Sequence, residues 1–141
     1  MHLRRGAALL GLALAATAGT VLFSDSPATA AEPPSGWDVC PNGSVCIWKD
    51  ASFLTDSHPY DYVSFARYIP DYSTWMYRNT NIGSANTATS IINDGISETA
   101  YMYANKNKRN LLFSIPRGNS NWALAGDHGD NIESGYYYTY N

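Results

Sequence analysis

Two cysteines, two of the three histidines and one short acidic run are the residues of this 141-residue chain whose types and spacing invite chemistry. Cys40 and Cys46 frame "CPNGSVC", His58 and His128 stand far from that pair, and "DHGD" runs from Asp127 to Asp130. A cysteine pair can clamp a metal, cycle electrons, supply a nucleophile or close a disulfide. A zinc site takes four ligands, and neither histidine has ligand-like spacing to the pair. Redox pairs are separated by two residues, whereas five lie between Cys40 and Cys46. No H-E-x-x-H helix and no G-x-S-x-G elbow is present. Asp, His and Gly in a glycine-flanked run read as a solvated turn. The chain is therefore not expected to be an enzyme.

The N-terminus bears on the fate of the thiols. "MHLRR" places Arg4 and Arg5 ahead of an apolar run from Gly6 to Phe23, and "SDSPATA" ends in the small residues Ala28 and Ala30. That is the layout of a secretory signal peptide, with cleavage expected after Ala30. Residues 31–141 then form one domain with a single modest core. It carries seven Lys and Arg against eleven Asp and Glu, with the basic residues scattered along the chain. No nucleic acid or anionic membrane partner is expected from that balance, nor any membrane contact once the leader is removed. A secreted, extracellular location is oxidising, so Cys40 and Cys46 are expected to form a disulfide contributing about 2 kcal/mol. Pro41-Asn42-Gly43-Ser44 supplies the turn that closes it.

The elements around these residues read as β-structure. "SVCIWK", "YDYVSF", "TSIIN", "TAYMY", "NLLFSI" and "GYYYTY" are short segments rich in β-branched and aromatic residues, separated by Gly, Asn, Asp, Ser and Pro clusters. No stretch keeps a helical apolar period for three turns. "AEPPSGWD" reads as an extended lead-in, with Trp37 as its anchor. The expected fold is all-β, an antiparallel sandwich or small barrel. The tyrosines admit a core-filling role or a sugar platform built from Tyr136, Tyr137, Tyr138 and Tyr140, although alternation prevents all four from lining one surface. Two signatures also recur in order. "WKDASF" (Trp48–Phe53) is echoed by "YANKNK" (Tyr103–Lys108) at an offset of 55, and "ANTATSI" (Ala85–Ile91) by "DNIESGY" (Asp130–Tyr136) at an offset of 45. Two similar units packed together would bury faces that neither could bury alone.

These doubled signatures, with the leader and "CPNGSVCIWKDASF", resemble the bacterial secreted peptidase-inhibitor family of the Streptomyces metalloproteinase inhibitor type, which has the βγ-crystallin fold. Cys46, Trp48, Asp50 and Phe53 match its N-terminal pattern, Thr55 replaces a glycine, and Lys108 stands where an aromatic is usual. "SIPRGNSNWAL" resembles the family's Ile-Pro-x-Gly turn and following strand. The resemblance implies a βγ-crystallin-like sandwich of two four-stranded Greek keys, about 37–93 and 95–140.

It implies an inhibitor of an extracellular protease, a metalloprotease in the first instance, acting as a monomer that needs no cofactor. The implied inhibitory loop contains Lys106, Lys108, Arg109, Asn110, Leu111 and Leu112, and it lacks the second disulfide that braces the family's best-known member. The fold also implies a motif for weak calcium, with Asn86, Thr89 and Ser90 fitting in the first unit and Asp130, Asn131 and Ser134 in the second. Gly135 takes the place of a final serine. The other reading is a non-catalytic extracellular module that binds calcium or cell wall, or acts as an antimicrobial.

Overall fold

Val45 and Ile47 point to one side of their strand, Cys46 and Trp48 to the other, and all four are buried. A strand covered on both faces must sit inside a sheet that is itself packed on both sides. The computed structural model describes residues 35–125 and 128–140. The expected leader and Asp127 lie outside them.

The strands are β1 (Val45–Trp48), β2 (Val63–Phe65), β3 (Tyr68–Ile69), β4 (Ser90–Asn93), β5 (Ala100–Asn105), β6 (Arg109–Ile115), β7 (Ser120–Asn121) and β8 (Ser134–Tyr137). They form two four-stranded antiparallel sheets, ordered β2-β1-β4-β7 and β3-β8-β5-β6. The all-β sandwich expected from the sequence is the fold observed. The third strand of each half, however, crosses to the other half's sheet: β3 pairs with β8 and β7 with β4. Simple face-to-face stacking of two self-contained units is corrected to an exchange of strands between them. Both exchanged strands have two residues, too few for an alternation to show in the sequence.

The lead-in also differs from its expected form. Ser35 opens a single helical turn, α1 (Gly36–Val39), by a capping box in which its backbone N–H and hydroxyl both donate to Asp38 at 2.9 Å. Its anchor is Gly36 rather than the partly exposed Trp37, because a Cβ at Gly36 would lie 2.6 Å from Phe53 and 2.7 Å from Ile92.

The main core lies between the sheets. Val45, Ile47, Phe65 and Ile91 meet Ile69, Met102, Ile115 and Tyr137 there, with Tyr72 and Tyr77 filling the space between. A second, smaller cluster covers the outer face of the first sheet and holds Cys40, Cys46, Trp48, Tyr62 and Ile92 under Val39 and Phe53. The expected Cys40–Cys46 disulfide is present within it, with Cα atoms 5.9 Å apart.

Tyr72 carries a polar group in the wrong place. Its side chain is fully buried, its hydroxyl has no hydrogen-bond partner, and burial holds its pKa well above the ordinary tyrosine value. Removing an unpaired buried hydroxyl while keeping the ring removes a desolvation cost. Tyr72→Phe is therefore expected to raise stability by about 1 kcal/mol in urea unfolding; a loss would show that the hydroxyl has a partner.

Candidate functional site

Two folded corners carry the doubled sequence signatures, and backbone hydrogen bonds fix their equivalence. After β1, Phe53 N–H donates to Ser90 Oγ at 3.1 Å, and that hydroxyl donates to the Asp50 carbonyl at 2.6 Å. After β5, Lys108 N–H meets Ser134 Oγ at 3.4 Å, and that hydroxyl donates to the Asn105 carbonyl at 2.8 Å. Asn86 N–H donates to the Ile132 carbonyl and Asp130 N–H to that of Ala88. Asn86 and Asp130 both adopt positive φ, 55° and 56°.

Ser90 thus corresponds to Ser134 and Asn86 to Asp130. The second signature repeats at 44 residues, and the 45-residue offset is corrected by one. Adjacent Asx residues at Asp130 and Asn131 made either register plausible, and the hydrogen bonds of Ser134 together with the left-handed backbone at Asp130 select one. The consequence is that Ser134 is the final serine of its motif, Gly135 is not its replacement, and Thr89 is matched by Glu133.

The corner residue itself folds back over its sheet in both halves. Phe53, at φ 62°, packs edge-on to Trp48 with ring centroids 5.5 Å apart. Lys108, at φ 61°, places its ammonium 4.8 Å from the centre of the Tyr136 ring. The lysine that replaces an aromatic in the sequence pattern therefore keeps the covering role, through a cation–π contact. Asn107, Lys108 and Asn110 all adopt positive φ in this turn.

Among the described residues the two corners show no assembled calcium site. Calcium takes six to eight hard oxygens, with carboxylates raising affinity. Ser90 and Ser134 spend their hydroxyls on backbone carbonyls, and the Asn86 amide donates to Glu133 Oε1 at 3.0 Å across the two halves. In the first corner Lys49 Nζ stands 2.7 Å from Asp56 and 3.5 Å from Asp50, and the hydrogen bond to Asp56 raises the lysine pKa. The second corner carries Lys106, Lys108 and Arg109, a cationic environment that repels a divalent ion. Among the described residues no group of three or more His, Cys, Asp or Glu side chains is placed to hold a metal. His128 of the "DHGD" run packs its ring 5.0 Å from that of Phe113.

The expected inhibitory loop is the β5–β6 hairpin. Lys106 pairs with Asp71 at 2.9 Å and donates to Ser73 at 3.0 Å, while Asn107 N–H donates to the Pro70 carbonyl at 3.0 Å. Hydrogen bonds from Ser73, then the Lys106 ammonium, hold the Asp71 carboxyl below its usual range. Beyond the turn, Arg109, Asn110 and Leu111 are exposed at the start of β6, the edge strand of its sheet. The two leucines of the loop part company. Leu111 is 55% exposed, whereas Leu112 sits at the register shift between Phe113 and Leu111 and packs against the core.

A tyrosine cluster on the outer face of the second sheet is the feature that the sequence reading does not assemble. Of the four C-terminal tyrosines considered for a platform, Tyr137 points into the core, and Tyr136 is joined instead by Tyr68, from β3, and by Tyr101 and Tyr103, from β5. Only the exchange of β3 brings Tyr68 opposite Tyr136.

No family model matches the chain, and no curated protein sequence matches it. Among solved structures, one from work on the evolution of the eye lens beta-gamma-crystallin domain fold superposes with a TM-score of 0.54 at 13% identity, covering 77% of this chain and 91% of that one. The beta gamma crystallin from Ciona intestinalis gives 0.52 at 14% identity, covering 67% of this chain and 99% of that one. At such identities the likeness is one of fold, and the fold is that of βγ-crystallin domains. Nothing in these comparisons supports the narrower resemblance to the Streptomyces inhibitor family.

Proposed function

We propose that this βγ-crystallin-fold chain is a secreted, non-catalytic module that inhibits an extracellular metalloprotease through the β5–β6 hairpin and the first residues of β6. The observation that carries the reading is the combination of a pinned turn with an exposed edge. Lys106, Asn107 and Lys108 are each tied to the body of the domain, and Arg109, Asn110 and Leu111 follow at once on an unpaired strand edge.

Such an edge can pair with an extended backbone in an active-site cleft. Because the turn is already held, little ordering entropy is lost on binding. The ion pair to Asp71 and the contact with Tyr136 supply the bracing for which the sequence offers no second disulfide. Leu111 is the side chain offered to an apolar specificity pocket, while Leu112 holds the strand to the core.

The test is titration against a panel of secreted metalloproteases and serine proteases. At least one metalloprotease is expected to be slowed at micromolar protein, and Leu111→Asp to raise the inhibition constant at least tenfold without shifting the melting temperature. If no protease is slowed, the proposal fails.

A further inference from the structure

The outer faces of the two sheets are built alike and finished differently. On the first, Cys46, Trp48 and Ile92 are closed over by Val39, Phe53 and the Cys40 end of the disulfide. On the second, the equivalent outward positions hold Tyr101, Tyr103 and Tyr136; Tyr103 and Tyr136 are themselves buried, and the short helical turn Tyr138–Tyr140 packs beside them and adds exposed rings to the face.

Tyr68, Tyr136 and Tyr101 stand side by side across β3, β8 and β5, each directly opposite the next in register. With neighbouring strands about 4.8 Å apart, the row spans about 10 Å, the length of two linked sugar rings. The Tyr68 and Tyr136 rings are nearly parallel, with centroids 5.5 Å apart. Tyr140 extends the row beside Tyr68 at 5.8 Å, and Tyr138 packs near Tyr101 at 6.2 Å. Tyr68 remains 48% exposed, Tyr138 67% and Tyr140 37%.

Two cations beside this row, Lys108 and Arg109, are free to meet an anion. Lys108 lies over Tyr136, and its neighbours Asn107 and Arg109 line a concavity of about 560 Å³ together with Asn105, Lys106, Asn110 and Glu133. Of the acids nearby, Asp71 is ion-paired with Lys106, while Glu133 accepts from the Asn86 amide and Glu98 from the Thr139 hydroxyl. Lys108 and Arg109 have no ion pair among the described residues.

From this juxtaposition we infer that the outer face of the second sheet binds an acidic polysaccharide. The exposed rings of Tyr68, Tyr138 and Tyr140 cover the apolar C–H faces of the sugars, with the buried Tyr136 ring as their support; tyrosine hydroxyls and asparagine amides meet sugar hydroxyls, and Lys108 and Arg109 pair with the repeating carboxylates. A peptide would call for side-chain pockets along the row, and the face instead offers a line of rings and hydroxyls with cations at one end.

The test is native affinity electrophoresis of the whole domain in gels containing polygalacturonate. Retardation is expected, at least tenfold weaker in gels of fully methyl-esterified galacturonan, and reduced about tenfold by Tyr68→Ala and by Lys108→Gln. Tyr60→Ala, at an exposed aromatic elsewhere, is expected to leave it unchanged. Absence of retardation by polygalacturonate, equal retardation by the esterified polymer, or wild-type retardation of Tyr68→Ala would each overturn the inference. The last outcome would reduce the binding to bare charge. Because Tyr68→Ala leaves the hairpin intact, failure here and failure of protease inhibition are read separately.

Discussion

Asn93→Ala is expected to lower the stability of the domain by roughly 3–4 kcal/mol, the cost of stranding two or more buried polar groups. Asn93 ends β4 with no exposed surface, and every hydrogen-bonding site of its side chain is used. The amide nitrogen donates to the Ile115 carbonyl at 2.9 Å and to the Glu98 carbonyl at 3.0 Å. The amide oxygen accepts from Gly95 N–H at 3.0 Å and from the Tyr137 hydroxyl at 3.2 Å.

One side chain thus joins the end of the first sheet to β6, to β8 and to the link into β5. Its backbone adds two more bonds, to Asn119 and Gly118 in the turn before β7. Alanine removes all four side-chain bonds and brings no water to replace them. Burial holds the Tyr137 pKa up at about 12, and in the variant its hydroxyl keeps only the Gly43 carbonyl, at 3.3 Å, as acceptor. Urea unfolding of both forms measures the difference; a loss below 1 kcal/mol would show that Asn93 is not the tie between the halves.

Trp48→Ala is expected to cost about 4 kcal/mol, in the range for deleting a large buried ring. Trp48 is fully buried, its indole N–H donates to the Pro59 carbonyl at 2.7 Å, and Phe53 and Tyr62 pack around it at 5.5 and 5.7 Å. Loss of the ring takes away the surface on which Phe53 and, through Gly36, α1 are seated. Tyr103→Ala at the equivalent place in the second half is expected to cost less, because the ring there is smaller. Thermal unfolding of the two variants side by side decides the point: equal losses would mean that the cover over the first sheet adds nothing.

Much of this arrangement is legible before any coordinates. The strand segments around Val45, Ile91, Ala100 and Tyr136 announce themselves by β-branched and aromatic residues between turn formers. The cysteine spacing and the leader-like N-terminal pattern point to the disulfide. Phe53 and Lys108 were readable as one position occurring twice.

Other features are set by long-range pairing and leave no local mark. Tyr68-Ile69 and Ser120-Asn121 are strands because another half of the chain holds them, not because of their own pattern. Gly135 looks like a failed serine until its neighbours are seen: a Cβ there would lie 2.8 Å from the Phe65 ring. The register of the second signature turned on the bonds of Ser134 and a left-handed aspartate, and the tyrosine row joins residues 68 and 136, which no sequence window contains together.

The exchange of β3 and β7 has a consequence for how the chain can come apart. A fragment ending at Asn93 would carry β3 with no β8 to receive it and would leave β4 bare where β7 belongs. The remaining fragment would carry the complementary orphan and the complementary gap. Each half is a lock holding the other's key, so neither can be inherited, shed or repaired alone, and the duplicated unit survives only as a pair.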